Sequence, residues 1–243
     1  MENKQVEFEN FREYHFVLLG YSEFKDVYAK FNENLKFYRI ASLGKAETVE
    51  IIYDVLENTL TEAGIIISTV KESGKRYLRV KKISLLEGEL KRPTQTYILG
   101  RLDDNEEPSD YSMQLSQTIE NAFTTQFTID VDDVVKKVEP KIEIDISNDR
   151  YKLICGSGYR AELVYEKATY KDIKTKKTVE REGVTLRLPI EPCKESDELL
   201  KLVERKIVEL APYNLTRFEI AQKLLYPKIV EEEEDVQDNQ DDE

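Results

Sequence analysis

Apolar and polar residues alternate with period two along much of this chain, and short stretches at helical spacing interrupt the alternation. Residues 5–19 read as a strand with a break at Asn10-Phe11. Ser22 then caps a helix, because Phe24, Val27, Tyr28 and Phe31 recur on one helical face. Residues 36–40 and 48–53 read as short strands around a loop at Ser42-Leu43-Gly44. A turn-rich or short helical piece follows at 54–62. Residues 65–71 and 76–85 form a hairpin about Ser73-Gly74. Residues 94–99 are a further strand, 103–107 an acidic loop, 110–122 an amphipathic helix with Met113, Leu115, Ile119 and Phe123 apolar, and 130–137 a short helix.

The second half repeats the design. Residues 150–155 and 159–170 are strands joined by Gly156-Ser157-Gly158, and 178–190 is a strand with Gly183 as a bulge. Ser196 caps a helix reaching Leu210, with Leu199, Leu200, Val203, Ile207 and Val208 as its buried stripe and Ala211-Pro212 as its end. Thr216 caps a last helix, closed by Pro227. Antiparallel strands joined by hairpins, with few helices, predict an α+β fold around a large antiparallel sheet or barrel.

Composition refines this picture. The 243 residues suffice for one substantial core, and 14 Tyr with many β-branched residues favour strands. No run approaches the roughly 20 apolar residues of a membrane helix, and Met1-Glu2-Asn3-Lys4 does not open a secretion signal. Cys155 and Cys193 read as free thiols, which together with the missing signal predicts a cytoplasmic, intracellular protein. His15 is the only histidine and there is no C-x-x-C, which argues against zinc. The net charge is −13, of which residues 231–243 supply nine negative charges and no positive one, leaving −4 on the rest. That segment cannot bury apolar area, so the chain divides into a domain at 1–229 and a disordered acidic tail at 230–243. No Ser/His/Asp or Cys/His set assembles, and His15 reads as a half-buried strand residue.

The order of motifs resembles the CYTH, or triphosphate tunnel, family. It is carried by Ile52-Tyr53-Asp54, Leu60, Ala63-Gly64-Ile65, Gly74 and the 78–81 strand; by Arg150-Tyr151-Lys152, Gly156-Ser157-Gly158 and residues 161–166; and by Leu215-Thr216-Arg217-Phe218-Glu219. The likeness spans roughly residues 6–226. It implies an eight-stranded antiparallel tunnel whose basic lumen holds a triphosphate and whose acids hold Mg²⁺ or Mn²⁺. The activities implied are triphosphatase, adenylyl cyclase or polyphosphate synthesis. Carried over residue by residue, the phosphate ligands are Arg79, Lys81, Arg150, Lys152 and Arg217, and the metal ligands are Glu7, Glu9, Glu162 and Glu166.

The signature is eroded. Glu7-Phe8-Glu9-Asn10-Phe11 keeps two acids of the E-x-E-x-K strand and loses its lysine, while the alternative register, Glu13-Tyr14-His15-Phe16-Val17, keeps one acid. The R-x-R strand falls on Ser68 and Val70, with Thr69 and Lys71 on the opposite face. The second acidic triplet falls on Val184 to Pro189, which holds no acid. The reading is a divergent CYTH-like protein that binds a nucleotide, polyphosphate or RNA 5′ end with little or no turnover. The alternatives are a scaffold or interaction subunit that uses the barrel surface, and an active metal-dependent triphosphatase or cyclase. A protein partner fits either non-catalytic reading; a membrane or sequence-specific DNA does not fit.

Overall fold

The computed structural model describes residues 11–19, 23–55, 58–83, 93–122, 130–189, 191, 193–212 and 215–227. The readings placed on Glu7, Glu9, Ser22, Phe123 and the tail lie outside these residues. The fold is α+β, built on one antiparallel sheet. Eight longer strands run as β1 (Phe11–Leu18), β2 (Tyr38–Asp54), β3 (Ile65–Glu72), β4 (Lys75–Ile83), β5 (Pro93–Leu102), β6 (Glu139–Cys155), β7 (Arg160–Asp172) and β8 (Thr178–Pro189). A short ninth, β9 (Leu210–Pro212), completes the order β5-β4-β3-β2-β6-β7-β8-β1-β9. The sheet curls until β1 and β5 lie side by side, but among the described residues no backbone ladder joins them, so these residues do not close the tunnel by hydrogen bonds. None of the described helices is long and apolar enough to cross a membrane.

Alternation gives the sheet a convex face, a concave face and three separate apolar clusters. On the convex side, α1 (Phe24–Asn34) and α5 (Lys194–Lys206) cover Tyr14, Phe16, Leu153, Leu163, Val184 and Leu186. Elsewhere on that side α2 (Thr59–Glu62), α3 (Ser112–Ala122) and α4 (Val131–Val135) cover Tyr53, Ile65, Ile67, Leu78 and Val80. The third cluster is inside. There α6 (Arg217–Leu225) sets Phe218, Ile220, Ala221 and Leu225 against Ile52, Ile66, Ile142, Ile144, Ile146, Ala168 and Tyr170. This helix therefore plugs one end of the concave face, and the other end stays polar.

Several expectations need correction. Residues 36–40 and 48–53 are parts of one strand, β2, because Gly44 takes φ +90° and lets Leu43 bulge out between Ser42 and Gly44 without ending the ladder. Its partner β6 begins at Glu139, well before Arg150. No bulge occurs at Gly183, which pairs in register with Val17 and Glu166. The glycine is there for space, since a Cβ would sit 3.0 Å from the Phe16 carbonyl oxygen. Glu23 is the N-cap of α1, bonded reciprocally with Asp26, and Cys193 is the N-cap of α5, with Ser196 three residues inside. Helix α5 stops at Lys206, Val208 is exposed, and residues 210–212 pair with β1. Met113 on α3 is exposed as well.

Candidate functional site

The polar part of the concave face is built by strands whose other face is apolar, so each charged side chain there is the inward member of an alternating pair. Glu13 stands opposite Arg187, and His15 opposite Thr185, while Tyr14 and Phe16 point out to the helices. Glu50 sits in Val49-Glu50-Ile51-Ile52, Arg79 and Lys81 in β4, Asn148 and Arg150 in β6, and Glu162 and Glu166 in β7. Arg217, the first residue of α6, enters from the plugged end. Glu13, Glu50, Glu72, Arg79, Lys81, Asn148, Arg150, Arg187 and Arg217 line one cavity. It is small, about 60 Å³, because these long side chains reach across it.

The charges are matched in pairs. Arg217 donates to Glu166 at 2.6 Å and lies 3.9 Å from Glu50, whose other oxygen is 3.4 Å from the Lys81 ammonium. Arg187 donates to Glu13 at 3.1 Å and approaches Glu162 at 3.7 Å. Arg150 donates to Glu162 at 3.3 Å and lies 3.8 Å from Glu72. Burial by itself would raise the Glu50 carboxyl, but Lys81, Arg217 and Arg79 beside it bring it down to about 2. Burial is likewise outweighed at Glu13, which Arg187 and Lys81 hold well below the usual carboxylate range. Burial would lower the Arg217 guanidinium; Glu166 and Glu50 instead raise it. Burial pushes the His15 imidazole down to about 4, so it is neutral near pH 7, with Nδ1 2.9 Å from the Thr185 hydroxyl. Not every donor is used: Arg150 Nε, Arg217 Nη1 and the acceptor Asn148 Oδ1 are buried without a hydrogen bond.

Four of the five basic residues selected from the sequence, Arg79, Lys81, Arg150 and Arg217, thus meet at one cavity, and Lys152 lies farther along β6 toward the open end, opposite Glu162. Ser68 and Val70 occupy the inward positions of β3, while Thr69 packs outward against the Tyr53 hydroxyl. Glu50, Glu72, Arg187 and Asn148 were not selected. The signal for Glu50 and Arg187 was present: each is a single charge inside an otherwise apolar alternating strand, a position that burial penalises unless a partner waits there. Asp54 of the Tyr53-Asp54 motif is structural. Its buried carboxylate accepts from the amides of Val55, Leu60 and Thr61 and from the Thr61 hydroxyl, fixing the turn into α2.

A putative adenylyl cyclase of Hippeastrum, HpAC1, described as having a dominant triphosphatase activity, superposes with a TM-score of 0.50 at 12% identity, over 88% of this chain and 95% of that one. The fold is CYTH-like. The PH1819 protein of Pyrococcus horikoshii OT3 (TM-score 0.49, 10% identity, 88% of this chain and 98% of that one) and a putative adenylate cyclase of Bacillus halodurans (0.48, 9%, 88% and 97%) are also similar. No family model and no curated protein sequence matches the chain. A divalent ion in this CYTH-like lumen would need convergent carboxylates. Glu162 and Glu166 are four residues apart on β7, roughly 13 Å along the strand, and arginines hold both. Among the described residues no three His, Cys, Asp or Glu side chains cluster as metal ligands, so these donors do not by themselves fit the ion.

Proposed function

We propose that this CYTH-like protein binds the triphosphate of a nucleotide, polyphosphate or RNA 5′ end in its lumen, with little or no turnover. The observation that carries the reading is the convergence of Arg79, Lys81, Arg150, Arg187 and Arg217, from three strands and a helix, on one cavity, with buried guanidinium donors still unused. Phosphate oxygens suit such donors, and charge-assisted contacts contribute roughly 1.5–3 kcal/mol each where water is excluded. Lys81, Arg150, Arg187 and Arg217 already hold ion pairs that a ligand would have to displace, so only the difference appears as affinity and micromolar binding is the upper expectation. Low turnover is supported by Ser68 and Val70 standing where the family's R-x-R pair would be, and by carboxylates engaged with arginine rather than converging on a cation.

The charge balance itself favours one second reading, in which the network only stabilises a barrel used as a scaffold. Calorimetric titration with tripolyphosphate, ATP and 5′-triphosphorylated RNA, with and without Mn²⁺, separates the two. Binding heat that disappears in Lys81→Ala with Arg150→Ala supports the lumen. No heat at millimolar ligand leaves the scaffold, and rapid Mn²⁺-dependent phosphate release would overturn the low-turnover reading.

A further inference from the structure

Cross-strand register extends the concave face past the ion-paired layer toward the open end. In the last row Arg39 of β2 stands opposite Ile154 of β6, which stands opposite Arg160 of β7. In the row before it Ala41, Lys152 and Glu162 are opposite one another. Directly paired residues share a face, and Ile40 and Leu153 belong to the convex cluster. Arg39, Lys152 and Arg160 therefore all lie on the concave side, within a patch two strand spacings wide, or roughly 10 Å. Unlike the bases deeper in, none of the three makes an ion pair with a described residue, because Glu162 is taken by Arg150 and Arg187. Arg39 and Arg160 are exposed. Two residues before Arg39, in the turn ahead of β2, Phe37 is 87% exposed, the most exposed large apolar side chain described.

Unmatched bases, with an uncovered aromatic ring two residues along the chain from one of them, are the ingredients of a single-strand nucleic acid site: charge tracks the backbone and the ring stacks a base. We propose that Arg39, Lys152, Arg160 and Phe37 form a binding site for single-stranded nucleic acid at the open end of the tunnel. A purely electrostatic anion site would have no use for the exposed ring. The lumen and this rim are separate sites, since a strand with a 5′-hydroxyl carries nothing for the lumen to hold.

The test is fluorescence anisotropy of a labelled 12-mer oligouridine with a 5′-hydroxyl end, titrated with the full chain at several salt concentrations. Binding is expected to weaken with salt, and Arg39→Gln with Lys152→Gln and Arg160→Gln should flatten the log-log slope by about 2, the loss of three single-strand phosphate contacts. Phe37→Ala should weaken binding about tenfold with the slope unchanged, the loss of one stacked base. Both variants alter side chains at the surface or the rim, and circular dichroism confirms their fold; should the triple variant misfold, Phe37→Ala decides alone. Absence of saturable binding at low salt overturns the site, as does an unchanged slope. It is also overturned if inorganic polyphosphate competes equally while Phe37→Ala has no effect, since the patch would then read charge alone. A 5′-hydroxyl strand leaves the lumen proposal untouched by either result.

Discussion

At the scale of residues, the lumen is a set of buried charges whose partners are specific. Arg217 is the hub, being nearly buried between Glu166 and Glu50. Removing one member of a buried pair leaves an uncompensated charge and costs about 3–5 kcal/mol. Arg217→Met is therefore expected to lower stability by that order in urea denaturation, and adding Glu166→Gln should restore part of it by removing a stranded carboxylate; no recovery in the double variant would show that the loss is packing of α6. The same network sets an acid limit. Glu50 titrates at about 2 in the fold against an ordinary value of 4.5. Because the folded value is depressed, its contribution is present above about pH 4.5 and drains away as pH falls toward 2, roughly 3 kcal/mol in all. Stability measured between pH 5 and pH 2.5 should fall less steeply in Glu50→Gln than in the unsubstituted protein, and equal slopes would place the titration elsewhere.

At the scale of elements, α6 is both plug and ligand carrier, so its start must be fixed. Thr216 accepts from the Glu219 amide at 3.2 Å and the Glu219 carboxylate accepts from the Thr216 amide at 2.9 Å. Thr216→Ala removes one half of this box and should cost about 1 kcal/mol. Gly183→Ala should cost about 1–3 kcal/mol, because the new methyl meets a backbone oxygen of β1 that cannot swing away. Thermal melts check both. The capping residue Thr216 and the hairpin at Ser73-Gly74 were legible in the sequence because each is local chemistry: a hydroxyl three residues before Glu219, and two residues that both take positive φ. What was not legible depends on partners far along the chain. The 139–149 half of β6 mixes acids with isoleucines and becomes a strand because β2 and β7 flank it. Residues 210–212 look like the end of a helix, and become β9 only because β1 offers an edge. Glu50 and Arg187 stand out in the sequence as charges inside apolar strands, but their partners, Lys81 and Glu13, come from other strands and are set by the fold.

At the scale of the molecule, the curled sheet has a seam where the described residues of β1 and β5 meet without a ladder. The proposed ligand would be held from both sides of that seam. Arg79 and Lys81 belong to β4, next to β5, and Arg187 belongs to β8, next to β1. An anion bridging them would fasten the seam through side chains where the backbone does not. A ligand that binds only the folded state stabilises it by about 2.7 kcal/mol at a hundred times its dissociation constant, worth about 5–10 °C in melting temperature for a chain of this size. The gain should be uneven. Strands β6 and β7 have partners on both sides along their length, whereas among the described residues β5 is paired only to β4, and β1 below Phe16 only to β8. Amide exchange with saturating tripolyphosphate should therefore slow most in residues 93–102 and 11–15 and little in the middle of β6 and β7. Uniform slowing would mean that the anion stabilises the fold without bridging the seam. Slowing confined to β6 and β7 would place it at Lys152 and Arg160 on the rim, outside the cavity that Arg217 and Lys81 close.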